Sequence, residues 1–275
     1  MDEKRTRAYR AGAQIARERL ANEAPLDAEA VRTVQASDIV VVDGTYDHIH
    51  LVLDALEMPH TRVQASQVES IVLRLEQLVV INCPGNVSPG AIVQIRDFVA
   101  DGGSLFTTDW ALRNVIEPAF QNTVAYNDRP TSDDVVRIEI AEPDNPFLQG
   151  VIDPGEEPLW WLEGSSYPIR VLNAERVKVL VRSKELEGKY GEAPVAVLFS
   201  YGHGEVFHMI SHYYLQRTEL RDQRHKESAM DYACAKGVAV TDVDMDDLSA
   251  GDVESAASSA RFLTNIVANK KRRQS

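Results

Sequence analysis

The chain has 275 residues, of which 44% are hydrophobic, and its formal net charge is -13. This length allows one large α/β domain or two small ones, each with a substantial core. The acidic balance disfavours nonspecific binding to nucleic acid, because a surface that replaces phosphate counterions must be basic. No apolar run could cross a bilayer, and the charged first residues lack the apolar segment of a signal peptide. We therefore expect a cytoplasmic protein with no membrane partner.

Two cysteines, Cys83 and Cys234, lie far apart, and in a reducing compartment both should be free thiols. Basic residues cluster near both ends of the chain, in KRTRAYR and KKRRQS. Cations at the end of a last helix oppose the negative pole of the helix dipole. The second cluster therefore indicates a charge-matched helix end and no surface for nucleic acid.

Residues 1–36 are predicted to form a helical N-terminal extension ahead of an α/β domain at 37–275. Its composition is rich in Ala, Arg and Glu, and Ala8, Ile15 and Leu20 form a thin apolar stripe. A stripe this narrow does not stabilise a helix alone, so the extension should dock on the rest of the chain or on a partner.

From Asp38 the pattern alternates between strand and helix. Ser88 is the expected N-cap of one helix, with Pro89 in its first turn and Gly102 at its end. This alternation predicts an α/β, flavodoxin-like, open and mainly parallel sheet with helices on both faces. The predicted strands are 38–44, 60–64, 78–86 and 104–110, and the predicted helices are 48–57, 88–103 and 110–120.

The second half is predicted to be richer in β-structure. Two apolar runs surround a Gly-His-Gly turn at residues 202–204, which is typical of a hairpin. The last helix is predicted at 258–273, with an apolar side formed by Phe262, Leu263, Ile266 and Val267. The other strands are predicted at 134–142 and 176–183.

Several short phrases follow one another along the chain: VVVDG, INCPGN, FVADGGSLFTTDW, DNPFLQGV, VLFSYGHGEVFHMISHYY and ARFLTNI. Their order resembles the class I glutamine amidotransferase-like superfamily over residues 38–270. The likeness is closer to the trehalose-utilisation-like proteins and to the trimerisation domains of some β-galactosidases. It implies the same α/β fold, and the trimerisation domains suggest self-association.

Active amidotransferases carry a cysteine on the tight turn after the strand that corresponds to GGSLFTTDW. Here Thr108, Asp109 and Trp110 stand at that turn, so the resemblance implies no glutamine hydrolysis. His212 matches the histidine of the family. The glutamate that follows this histidine two residues later in the family is replaced by Tyr214.

Ligands of open parallel sheets bind at the carboxyl ends of the strands, so residues that leave those ends are the site candidates. The catalytic candidates are Cys83, Asp109 and His212, and the ligand-binding candidates are Asp43, Asn86 and Thr108.

Two candidates have alternative roles. Cys83 is either a thiol activated by the helix that begins near Ser88, or a buried hydrophobic residue at a strand end. Asp109 either fixes the tautomer of His212 or caps the following helix.

We expect no metal site and no cofactor. His203 belongs to a turn at the far end of the strand that carries His208 and His212, so the three should not converge. Within residues 242–254, Asp247 and Val253 stand where a calcium loop requires glycine and glutamate. No dinucleotide fingerprint or P-loop is present. His48 and His50 should face solvent.

Adjacent residues of a strand point to opposite faces, so one of Trp160 and Trp161 should be buried and the other exposed or over the site. The sequence therefore favours a module that binds a protein partner, another copy of itself or a small polar ligand. The alternative is a hydrolase of a small polar substrate that uses Asp109 and His212, or Cys83.

Overall fold

The computed structural model describes residues 3–153, 156, 158–213 and 223–273. Among them, the strands in chain order are β1 (Ile39–Val42), β2 (Thr61–Val63), β3 (Leu78–Ile81), β4 (Ser104–Thr108), β5 (Val124–Tyr126), β6 (Asp134–Arg137), β7 (Glu139–Ile140), β8 (Leu159–Leu162), β9 (Ile169–Val171), β10 (Val177–Arg182), β11 (Pro194–Tyr201) and β12 (Gly204–Met209). The helices are α1 (Glu3–Glu23), α2 (Pro25–Arg32), α3 (Ile49–Ala55), α4 (Pro89–Ala100), α5 (Glu117–Ala119), α6 (Lys184–Tyr190), α7 (Ala229–Ala235) and α8 (Ala250–Arg272).

The central sheet has eight strands in the order β2-β1-β3-β4-β12-β11-β10-β7. The strands from β2 to β12 in this order are parallel to their neighbours, while β11, β10 and β7 continue in antiparallel fashion. The four residues of both β1 and β3 are buried, as their continuous apolar sequences predict. The mainly parallel α/β sheet and the β-rich second half are thus confirmed.

Helices cover both faces of this sheet. Successive residues of a strand point to opposite faces, so Val206 and Phe207 lie on different sides. Phe207 packs against Phe262 of α8, with ring centroids 4.9 Å apart. Phe199, the cross-strand partner of Val206, packs at 5.7 Å against Phe120, which ends α5.

The helical extension docks on the chain itself. Ala8, Ile15 and Leu20 are all buried, and α1 packs against α8. Basic residues near both chain ends form ion pairs with carboxylates of the chain, including Arg7 with Asp247. The second basic cluster lies in the last turn of α8 and is therefore the charge-matched helix end that the sequence indicates.

Helix α4 has the predicted ends: Ser88 accepts a hydrogen bond from Ala91 N, and Gly102 has a φ of 123°. The start of α8 is different, because the helix begins at Ala250 and not at residue 258. Ser249 caps it, with Asp252 completing a capping box. The added turns bury alanines against α1, and such small residues give a weak apolar periodicity.

The predicted strand at 134–142 is divided between two sheets. Its first part, β6, pairs with β8, and its second part, β7, joins the edge of the central sheet. The helix predicted from residue 110 begins at Leu112 with a π-helical turn that leads into α5.

Candidate functional site at the carboxyl edge of the sheet

Parallel pairing of β1, β3, β4 and β12 places the ends of these four strands at one edge of the sheet. The loops that leave this edge carry Asp43, Cys83, Asp109 and His212, as predicted. Three of these side chains meet: a thiol, carboxylate and imidazole atom of Cys83, Asp109 and His212 all lie within 4.8 Å of one another. All three residues are buried, with exposures of 0%, 2% and 3%.

Asp109 occupies the junction between β4 and the following helix with a left-handed φ of 44°. Its carboxylate accepts hydrogen bonds from the backbone N–H of Tyr167 and from the Ser166 hydroxyl. The N-cap position of the following helix is Ala111, and these partners of the Asp109 carboxylate lie outside that helix, so the capping alternative is wrong. Burial, partly offset by these hydrogen bonds and by His212, raises the pKa of Asp109 to about 6.

His212 lies between two carboxylates. Its Nε2 is 3.7 Å from Asp109 Oδ2, while its Nδ1 contacts Glu163 Oε2. Burial disfavours the charged imidazole, but the hydrogen bond to Glu163 and the charges of Asp47 and Asp109 outweigh it, so the pKa of His212 is raised. The ring thus has a fixed orientation and an acidic environment.

Cys83 is held in the loop that follows β3. Its backbone N–H donates to Thr108 Oγ1 over 3.0 Å. Burial and the nearby Asp109 charge raise the pKa of the thiol far above its ordinary value, against a smaller effect of the Trp110 backbone N–H. These surroundings match the buried strand-end alternative and give no activated thiolate.

The ligand-binding candidates have separate environments. Asp43 accepts hydrogen bonds from Arg62 Nε and Gln64 Nε2 on the side of β2. Asn86 is exposed and accepts a hydrogen bond from Asn114. Thr108 is buried, and its hydroxyl oxygen accepts the backbone N–H of Cys83.

Sequence reasoning missed Glu163 and Asp47. Asp47 is fully buried, and its carboxylate accepts the backbone N–H groups of His48 and Tyr213. It lies in the loop after β1, so the rule for strand ends could have included it. Glu163 follows β8, which is outside the central sheet, and no spacing in the sequence relates it to His212.

Aromatic side chains cover the cluster. The Tyr46 ring is parallel to the His212 ring, with centroids 6.4 Å apart, and meets Trp110 edge-on at 5.3 Å. Trp110 stacks on Tyr167 at 5.5 Å and donates its indole N–H to Ser165 O. This layer separates the Cys83–Asp109–His212 cluster from water.

A cavity of about 130 Å³ lies between the central sheet, β8 and α8. Its walls include Trp160, Trp161, Met209 and Phe262, and Ser255 lies among its polar lining residues. Trp161 is buried and Trp160 is half-buried, so neither indole is an exposed anchor. Glu163, which contacts His212, is the residue immediately after β8.

The other histidines do not assemble with His212. Within the described ranges, the one potential metal-ligating group found is Cys83, Asp109 and His212, without His203 or His208. His208 is buried and hydrogen-bonded to Thr107. The prediction that His48 and His50 face solvent is wrong, because both are half-buried.

Tyr214, which replaces the family's glutamate, lies outside the described residues. In the part of the chain that the structure describes, no helix combines the length and apolar character needed to cross a bilayer.

No protein-family model matches this chain, and no curated protein matches it. Solved structures with a similar fold include a candidate GMP synthase component from Thermoplasma acidophilum, 14% identical, with a TM-score of 0.47 over 68% of this chain and 87% of that one. A cytoplasmic protein from Salmonella typhimurium is 12% identical, with a TM-score of 0.45 over 64% and 88% of the two chains.

A β-galactosidase from Bacillus circulans is also 12% identical, with a TM-score of 0.42. The match covers 62% of this chain but 28% of the β-galactosidase. At these identities and TM-scores, no site residue or activity follows from the likeness.

Proposed function

We propose that this chain is a glutamine amidotransferase-like protein without amidotransferase chemistry, and that it binds a small, mainly apolar ligand in the cavity beside α8. The observation that carries the proposal is the cavity itself, about 130 Å³ in volume, with Trp160, Trp161, Met209 and Phe262 among its lining residues. An apolar cavity of about 150 Å³ accommodates benzene, so the expected ligand has about six to eight non-hydrogen atoms.

The lining also specifies the polar part of the ligand. Ser255 and Ser258 provide hydroxyl groups along the α8 side of the cavity. His225 and Glu254 also line the cavity, with His225 Nε2 3.7 Å from Glu254 Oε2. A hydroxyl or N–H group on the ligand can donate to these oxygens, whereas an anionic ligand would be repelled by Glu254. The expected ligand is therefore a neutral aromatic molecule with one hydrogen-bond donor, whereas the sequence predicts a small polar ligand.

Phenol tests this proposal, with benzoate as its anionic counterpart. Isothermal titration calorimetry of the whole chain should detect phenol binding at millimolar concentration, with benzoate at least tenfold weaker. Ser255→Leu extends a side chain into the cavity and should reduce phenol affinity at least tenfold. Asn269→Leu, on the same helix but outside the cavity lining, is the matched control and should retain binding.

Phenol affinity that is equal in wild type and Ser255→Leu would exclude this cavity as the binding site. No detectable binding of phenol to a folded wild-type chain would contradict the proposal as a whole. Binding of a protein partner or a second copy stays a prediction, which analytical ultracentrifugation tests directly.

A hydrolase is the second candidate, and one observation favours it. His212 lies between Asp109 and Glu163, which is the arrangement of a base that has a neighbouring nucleophile and an orienting carboxylate. Such an enzyme would hydrolyse p-nitrophenyl acetate faster than a His212→Ala variant does. Equal rates for the two proteins would remove this candidate.

A further inference from the structure

The geometry points to a metal-binding site for Zn²⁺ formed by Cys83, Asp109 and His212. The three side chains offer a sulfur, an oxygen and a nitrogen donor, which are the ligand types that zinc takes in proteins. They come from the loops after β3, β4 and β12, so parallel strand ends bring them together. This inference does not depend on the cavity ligand, because none of the three residues lines the cavity.

The distances are close to those of a zinc site. Donors around a tetrahedral zinc ion lie about 3.3–3.8 Å apart, given bond lengths of about 2.0–2.3 Å. Here the donors lie within 4.8 Å of one another, and His212 Nε2 is already 3.7 Å from Asp109 Oδ2. Binding therefore requires inward movement of the donors by about an ångström or less.

Neighbouring groups hold the donor side chains in place, as hydrogen-bonding partners of the ligands do in metal sites. His212 uses Nδ1 to contact Glu163, which leaves Nε2 directed towards Asp109. A carboxylate behind a ligating histidine fixes its ring and raises its basicity. Asp109 is oriented in turn by Tyr167 N–H and the Ser166 hydroxyl.

Charge balance supports the same conclusion. On binding, the ion displaces the proton of the Cys83 thiol and any proton on His212 Nε2, and these protons are released to solvent. The resulting Cys83 thiolate and the Asp109 carboxylate together supply two negative charges, which a divalent ion would neutralise in a site nearly closed to water. Buried charges are tolerated when they are paired or bind a metal. The aromatic layer of Tyr46 and Trp110 would then exclude solvent from a neutral ion–ligand group.

The test is metal binding by the whole chain, measured after removal of metal with a chelator. Titration with Zn²⁺ in competition with a chromophoric chelator should give one equivalent bound. Cys83→Ser and His212→Gln should each weaken Zn²⁺ binding at least 100-fold. Glu163→Gln, which alters only the support of His212, should weaken it about 10- to 100-fold.

Two variants are matched controls because they change the same residue types at exposed positions. Cys234→Ser and His203→Gln should bind Zn²⁺ as wild type does. Cobalt gives a second readout: the Co²⁺ complex should show a thiolate charge-transfer band that persists in Cys234→Ser, where Cys83 is the remaining cysteine. This variant keeps the proposal falsifiable even if Cys83→Ser does not fold.

Failure to bind one equivalent of Zn²⁺ would overturn the proposal. Loss of the cobalt–thiolate band in Cys234→Ser would also overturn it, as would wild-type affinity in folded Cys83→Ser. Phenol binding measured on the same preparations separates this result from the proposed ligand function, since the two sites share no residue.

Discussion

Two buried histidines at the end of one hairpin lie in opposite electrostatic environments. His208 bonds to the Thr107 hydroxyl over 2.8 Å, and burial lowers its pKa to about 3. His212, four residues later, contacts Glu163 and faces Asp109, and its pKa is raised. The first ring is therefore a neutral part of the core, whereas the second can hold a proton inside the protein.

His208 should make the protein less stable in mild acid. Its pKa is about 3 when folded, against about 6.5 in the unfolded chain, so between these values the unfolded state binds the additional proton. Stability then falls as the pH decreases below about 6.5. Relative to His208→Gln, the wild-type free energy of unfolding should be about 2 kcal/mol lower at pH 5 than at pH 7, measured by urea denaturation.

His203→Gln is the matched control on the exposed turn of the same hairpin. Its side chain is exposed, so this substitution should leave the free energy of unfolding within about 0.5 kcal/mol of the wild-type value. A parallel pH dependence in wild type and His208→Gln would mean that His208 is not held neutral in the folded protein.

Cys83 should resist alkylation by iodoacetamide until the chain opens. The thiol is fully buried and its pKa is raised, so little thiolate exists near neutral pH. At alkylator concentrations that trap every opening event, the rate should change little between pH 6 and 8. Exposed Cys234 should react quickly and serves as the internal control, with each adduct located by mass spectrometry.

Rapid alkylation of Cys83 in the folded protein, with a titration below pH 7 that is lost in His212→Ala, would contradict the buried assignment. It would make Cys83 and His212 a nucleophile–base pair and favour the hydrolase candidate.

At the scale of elements, the contact between α1 and α8 depends on Gly12. A Cβ at this position would lie 2.5 Å from Ala257 N and 2.7 Å from Ala256 C, which are backbone atoms of α8. Backbone atoms cannot rotate away as a flexible side chain would. Glycine therefore permits the helices to approach closely enough for Ile15 and Leu20 to be buried.

Gly12→Ala should destabilise the protein by about 1–2 kcal/mol, because overpacking costs about 1–3 kcal/mol and alanine recovers up to about 1 kcal/mol of helix propensity. Thermal unfolding should show a Tm lower by about 2–8 °C. The control is Gly188→Ala in α6, where a Cβ would meet nothing within 4 Å. That substitution should raise stability slightly, and equal effects of both would refute the close-contact explanation.

At the scale of the whole molecule, the amidotransferase resemblance should not extend to glutamine hydrolysis. Asp109 stands at the strand-to-helix junction, both of its oxygens accept hydrogen bonds from the protein, and Trp110 crowds the turn. The purified chain should release no detectable ammonia from glutamine. Release that disappears in Cys83→Ala would show that the nucleophile lies on another loop.

The sequence was sufficient to predict how the central strands and helices follow one another along the chain, and at which edge of the sheet the candidates lie. Continuous β-branched runs such as Ile39–Val42 have few alternatives to a buried parallel strand, and local signals such as Ser88 and Gly102 mark helix ends. These features depend on neighbours in sequence. The pairing rules for parallel strands then place Cys83, Asp109 and His212 at one edge of the sheet.

The surroundings of those residues could not be predicted from the sequence, because they form only when the chain folds. Glu163 reaches His212 from β8, a strand outside the central sheet, and Asp109 bonds to the loop at Ser166 rather than to its own helix. The start of α8 likewise follows from packing of alanines against α1. Long-range contacts fix orientation, burial and pKa, because these depend on atoms that meet only when distant segments of the chain pack together.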